Sequence, residues 1–250
     1  MKISVLSILF FLSISNFTSA QGFVWGAKGG LAIGNQRFNE GGTFNNGLLF
    51  KYHGDLFIES AGENATSVIY AQAGYHIRGH ARRFRSGQAF NYQTQQFEAT
   101  SGYTEEFLFN NLALILGFKK RGVLGSDNAF YAIGLRGEYN LSNNLYDGST
   151  ASSGIFSLYV PTKEFVNKLN YGLSLSGGYE FPFTDLAGGF VEFSIHQDIS
   201  RQYFQPAIPV NFTDPISGSR ISSIPEQSIR NLSFEVTVGI KFLRKVVYTD

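Results

Sequence analysis

The segment from Asn231 to Leu243 constrains this chain more than any other stretch of it. Leu232, Phe234, Val236, Val238, Ile240 and Phe242 alternate without a break with Ser233, Glu235, Thr237, Gly239 and Lys241. Side chains of a strand point alternately to its two sides, so strict period two over this length is a β-strand with one wholly apolar face. The opposite face carries a carboxylate, an ammonium, two hydroxyls and a glycine. That mixture suits a polar barrel lumen.

Seven more segments share this period. Phe23 to about Gly34 sets Phe23, Trp25, Ala27, Leu31 and Ile33 opposite Lys28. Phe50, Tyr52, Leu56 and Ile58 alternate with Lys51, His53, Asp55 and Glu59, and Ile69, Ala71, Ala73, Tyr75 and Ile77 with Tyr70, Gln72, His76 and Arg78. Phe107 to Lys119 carries Leu112, Leu114, Leu116 and Phe118 on one face, and its break of phase at Asn110-Asn111 predicts a bulge. Tyr131, Ile133, Leu135 and Tyr139 alternate with Arg136 and Glu138. Leu169, Tyr171, Leu173, Leu175, Tyr179 and Phe181 oppose Asn170, Gly172, Ser174, Ser176 and Glu180. Val191, Phe193, Ile195 and Ile199 oppose Glu192, Ser194, His196 and Asp198.

The connections alternate in length. Residues 35–46, 80–105, 142–168 and 203–228 form long polar loops, while 60–66, 120–128 and 182–187 form short turns. In the third long loop, Pro161-Thr162-Lys163-Glu164 could open a short helix. Met1 to Ala20 has Lys2, an apolar stretch from Val5 to Ile14 and the small-residue end Thr18-Ser19-Ala20, the pattern of a cleaved secretory signal peptide. Residues 21–250 are then a single domain. With no cysteine the chain has neither disulfides nor a lipid-anchoring thiol, and no apolar run after the signal is long enough for a spanning helix.

Alternation alone leaves open which face meets lipid, since a soluble lipocalin-type barrel turns its apolar face inward. Three features favour the membrane. Charges are expected to pair mid-strand on the polar face, Lys51 with Asp55, Arg136 with Glu138 and Glu192 with Asp198. Aromatics gather near the ends of the apolar face, at Trp25, Tyr52, Tyr139, Tyr171, Tyr179 and Phe181. The loop asymmetry is the third. The expected architecture is an all-β, eight-stranded antiparallel transmembrane up-and-down β-barrel with four long extracellular loops, monomeric and in contact with outer-membrane lipid and lipopolysaccharide. A net charge of +1 makes no electrostatic case for nucleic acid.

The export signal, the first-strand run Gly26-Ala27-Lys28-Gly29-Gly30-Leu31, the Leu112–Phe118 run and Val191-Glu192-Phe193-Ser194-Ile195-His196 together resemble the PorT-like outer-membrane β-barrel family of Gram-negative bacteria. Phe109-Asn110-Asn111 stands where members of that family tend to show an acidic residue followed by Ile-Pro. The resemblance implies eight strands and an outer-membrane location.

Chemistry is sparse. His76 and His80 lie four apart, but Ile77 follows the first, so the helical zinc-protease pattern is missing and a lumen or rim hydrogen-bonding role is expected. The glycines at 26, 29, 30 and 34 lie within a strand, with no Gly-Lys-Ser/Thr ending for a phosphate loop. Ser194, His196 and Asp198 share the inward face, but same-face neighbours on a strand stand about 6.8 Å apart, too far for direct proton transfer. The expectation is therefore no enzyme, cofactor or metal.

Two clusters remain. The inward charges Lys28, Lys51, His53, Asp55, Glu59, Arg78, Arg136, Glu138, Glu180, Glu192, His196, Asp198, Glu235 and Lys241 form either a gated or proton-conducting path or an ionic plug in a barrel wide enough only for side chains. The basic run Arg78, His80, Arg82, Arg83 and Arg85 ends the third strand. By parity Arg78 and Arg82 turn inward and Arg83 and Arg85 outward, so Arg83 and Arg85 could contact lipopolysaccharide, with Arg82 supporting the loop base, or all could be solvated loop charge.

Overall fold

The structure is a computed structural model describing residues 22–38, 46–61, 66–84, 86–91, 96–123, 126–147, 161–213, 218 and 220–245. The expected signal peptide lies outside the described residues. Eight long strands make the barrel: β1 (Gly22–Phe38), β2 (Leu49–Ala61), β3 (Ser67–Phe84), β4 (Tyr103–Val123), β5 (Ser126–Asn143), β6 (Leu169–Pro182), β7 (Ala187–Asp198) and β8 (Gln227–Lys245). Each is antiparallel to its chain neighbour. β1 also pairs with β8 from Gly22↔Lys245 to Phe38↔Ile229, closing the ring. Closure satisfies every strand edge from within, which a structure spanning hydrocarbon requires.

The alternation emerges as an inside-out barrel. Leu112, Leu114, Leu116, Phe118, Leu135, Leu173, Phe193, Val238 and Ile240 are exposed, while Arg78, Arg136, Glu138, Asn111, Ser233 and Glu235 on the other parity are buried. All six girdle aromatics are exposed on the outer face. A soluble barrel has the reverse arrangement, so the outer face is a lipid face. Among the described residues no helix is long and apolar enough to cross a membrane, which leaves the strands to do it.

Several strands run beyond their apolar stretches. β3 and β4 pair continuously from Ser67↔Lys120 to Phe84↔Tyr103. The expected loop 80–105 is thus largely β structure, with a hairpin of 87–91 and 96–100 at its tip. The fourth long loop holds a second hairpin, 208–213 with 220–224. Above the lipid the outer face need not be apolar, so hydrophobic alternation fades although backbone pairing continues. The expected short helix in the third loop is a single 3-10 turn, Lys163–Phe165. The phase break expected in β4 belongs to its partner: Asn110 opposes Ser142 and Asn111 opposes Asn140, so the extra residue is Leu141 of β5. β4 itself keeps strict alternation through Asn111.

Candidate functional site

The lumen has three layers, each built from inward-parity residues. Nearest the short turns, Lys119 lies 2.8 Å from Glu59 and 2.6 Å from Glu180, Arg121 bonds both carboxylates, and Lys241 pairs with Glu180. Above this ionic mouth Val24, Phe57, Phe130 and Phe190 form a buried apolar layer. Phe190 meets Phe57 edge-on at 5.4 Å and Phe130 at 6.5 Å between ring centroids. The three rings lie over inward glycines on the adjoining strands: Phe57 over Gly26, Phe130 over Gly178 and Phe190 over Gly239. A Cβ at any of the three would stand within 2.8 Å of ring carbon. Glycine is what lets a narrow barrel take three phenyl rings at one level.

The central layer is polar. Glu235 accepts from Arg78 at 2.8 Å, and lies 3.1 Å from His76 Nδ1 and 3.0 Å from His196 Nε2. His76 Nε2 is 2.9 Å from Asp55. Arg78 also donates to Glu138 at 3.1 Å and to Ser233. Arg136 pairs with Glu138 at 3.2 Å and with Asp198, whose second oxygen accepts from Asn231 at 2.7 Å. Asn111 donates to Glu138 at 2.8 Å. His53 stacks on His76 at 5.1 Å and reaches Thr237 at 3.1 Å, and Lys28 bonds Glu192 at 2.6 Å. Such charges are tolerable out of water because opposite charges face one another across the layer.

A second apolar layer covers the long-loop end. Phe107, Phe109 and Ile229 come from strands, Leu145 and Tyr203 from loops, and Phe165 and Val166 pack against them. The Tyr203 hydroxyl donates to Gln205 at 2.7 Å, and its segment pairs along β8 at residues 227–229. His80 stacks on Phe107 at 4.7 Å, with its Nδ1 2.5 Å from the Gln36 side-chain oxygen. Gly79 is fitted here at φ +146°, where a Cβ would meet the Phe107 carbonyl at 1.8 Å.

The expected site residues sort as follows. Lys28, His53, Asp55, Arg78, Arg136, Glu138, Glu192, His196, Asp198 and Glu235 come together in the central layer, while Glu180 and Lys241 belong to the ionic mouth. The pairing of Lys51 with Asp55 is not made. Lys51 sits two inward steps nearer the long-loop rim and reaches across to Glu106 at 2.7 Å, while Asp55 turns to His76. Glu192 and Asp198 do not pair with each other; both are acidic, and each takes a cation from elsewhere in the ring. Sequence reasoning missed Lys119 and Arg121, although the Leu112–Phe118 parity places both inward. It also missed Phe107 and Phe109, inward by the same parity.

Ser194, His196 and Asp198 share a face but not a hydrogen-bond chain. Ser194 donates to Glu192 at 3.0 Å, His196 faces Glu235, and Asp198 faces Arg136 and Asn231. Among the described residues no group of His, Asp and Glu could hold a metal ion. Of the basic run, Arg82 is buried with its guanidinium 5.2 Å from the Phe107 ring centroid, Arg83 is exposed, and Arg85 lies outside the described residues.

Comparison with solved structures returns barrels at low sequence identity. The Yersinia pestis attachment invasion locus protein Ail, solved with the heparin analogue sucrose octasulfate, is 10% identical, with 88% of this chain and 99% of that chain covered at a TM-score of 0.36. The Escherichia coli outer membrane protease OmpT is 14% identical over 90% of this chain and 98% of its own, at a TM-score of 0.35. A Pseudomonas aeruginosa FadL homologue is 12% identical, covering 80% of this chain and 37% of its own at 0.28. Comparison with curated proteins returns no match. The model of the outer membrane protein beta-barrel domain matches residues 16–197. The closed ring of strands agrees with that match, and this chain belongs to the outer membrane protein β-barrel domain family.

Proposed function

We propose that this protein is a non-enzymatic, non-conducting outer-membrane barrel whose long-loop end mediates contact at the cell surface. The observation that carries this reading is the double closure of the lumen. Among the described residues two apolar layers bracket a polar layer whose charges are engaged with one another, which supports a lumen without a continuous water-filled path. The channel reading needs a wet, continuous lumen, and an enzyme needs a site that a substrate can enter. The two hairpins that rise beyond the apolar band supply the contact surface.

The finer affiliation with PorT-like barrels, and with it an accessory role in a secretion or assembly machine, is favoured by the first-strand Gly26-Ala27-Lys28-Gly29-Gly30-Leu31 run and rests on sequence resemblance. Lipopolysaccharide contact through exposed Arg83 belongs to the same reading of the long-loop end as outward-facing.

Two experiments test this. Cysteine at Ser222, in the long-loop hairpin, labels with an impermeant thiol reagent on intact cells, whereas cysteine at Ser126, at the short-turn end of β5, labels only after the outer membrane is opened. Equal labelling of the two on intact cells would remove the surface-contact reading. Proteoliposomes of the pure protein stay impermeable to small sugars, and rapid swelling in them would favour the channel.

A further inference from the structure

The outer face of the β1–β8 seam ends in two arginines set directly against each other. Arg37 of β1 is the cross-strand partner of Arg230 of β8, and both are exposed. Directly opposed residues on an antiparallel pair hold their Cβ atoms about 5 Å apart, and like charges placed so are destabilising unless something offsets them. Among the described residues neither arginine has a carboxylate partner. Glu226, the residue before β8, is four residues from Arg230, about 13 Å along an extended chain, and is held by Arg201 at 3.3 Å.

Their height says what offsets the repulsion. Below the pair, the seam's outer face runs through Asn35 and Leu232, Ile33 and Phe234, Leu31 and Val236, Gly29 and Val238, and Ala27 and Ile240 to Trp25 and Phe242. From Leu232 to Phe242 the strand travels roughly 34 Å, which at a tilt of about 40° is a band about 25 Å tall, the apolar height of an outer-membrane barrel. Arg230 is the next outward residue beyond Leu232. It stands about 5 Å above the band by the same rise and tilt, at the level of lipid headgroup phosphates. Arg83, by contrast, lies three outward positions past Ile77, well into the long-loop region.

We propose that Arg37 and Arg230 form a two-guanidinium site for the phosphate of a membrane lipid headgroup on the long-loop side, with the lipid's acyl chains along Ile33, Leu31, Phe234 and Val236. Planar guanidinium forks bind phosphate oxygens in pairs, and two forks facing one anion turn a cross-strand repulsion into a shared attraction.

The test compares the wild type with an Arg37→Gln/Arg230→Gln double variant, both folded in non-ionic detergent, by native mass spectrometry and thermal shift. The probes are diphosphorylated lipid A, its dephosphorylated form and phosphatidylglycerol. Wild type prefers phosphorylated over dephosphorylated lipid A by about tenfold, and the variant loses that preference. The variant's melting temperature without lipid is unchanged or higher, since removing opposed like charges costs nothing. An Arg→Lys double variant retains only part of the preference, because an ammonium lacks the fork. If the tenfold difference appears instead with phosphatidylglycerol, the phosphate site stands and its source is phospholipid. A folded double variant with the wild-type preference for phosphate overturns the proposal.

Discussion

The two apolar closures of the lumen do the same thing by different means. The one toward the short turns is made wholly from strand residues, with each phenyl ring lying over a glycine on the next strand: Phe57 on Gly26, Phe130 on Gly178, Phe190 on Gly239. The barrel cannot form in register without forming this layer too. The closure at the long-loop end takes Phe107, Phe109 and Ile229 from strands but completes itself with Leu145, Phe165, Val166 and Tyr203, which arrive from two different loops. It depends on loops docking over the ring, through contacts such as Asn167 N–H to the Gln202 carbonyl at 2.9 Å. One seal is a property of strand register, and the other of loop packing. The first should be the more costly to damage and the second the easier to open.

Substitutions can break that contrast, and the largest effect belongs to the polar layer the two seals protect. Arg136→Ala leaves Asp198 and Glu138 short of a cation in a place water does not reach, and should destabilise the barrel by about 3–5 kcal/mol in denaturant titrations of folding into vesicles. A loss under about 1 kcal/mol would mean the layer is wet. Phe190→Ala removes the ring shared by both edge-on contacts and uncovers Gly239, with an expected cost of about 3 kcal/mol by the same titration. Tyr203→Ala, in the loop-built seal, should cost less, about 2 kcal/mol. It should instead increase hydrogen exchange at Asn111 and Asn140 beneath it, and a cost equal to that of Phe190→Ala would erase the proposed difference. Lys51→Ala breaks only the rim pair with Glu106, both partners partly exposed, and should change stability by at most about 0.5 kcal/mol.

The same contrast explains what was legible in the sequence. Inside the apolar band one face meets lipid, so Leu232 to Phe242 displays its period openly, and every strand of the ring could be marked from such runs. Beyond the band no lipid meets the outer face, so nothing requires that face to be apolar. Residues 80–84 and 103–106 therefore carry no apolar period, and their pairing could not be read. Parity placed the central charges inward but could not assign partners, since a partner depends on stagger around the ring. Lys51 and Asp55 share a strand, yet reach Glu106 and His76 on others. The Phe-on-Gly layer was within reach, because Gly178, Gly239, Phe57, Phe130 and Phe190 all fall on the inward phase. What parity lacked was the register that sets each ring over its glycine. Tyr203 and Leu145 lie in segments without any period, and only tertiary packing brings them over the lumen.

Closure of the lumen is tested most directly by planar-bilayer recording of the pure, folded protein at high salt. Wild type is expected to show no steady conductance, and a Phe57→Ala/Phe130→Ala/Phe190→Ala variant that still folds is expected to gain at most brief openings, because the long-loop seal remains. Adding Tyr203→Ala to that variant should produce a sustained current. A large, stable conductance from the wild-type barrel would contradict the account at its centre.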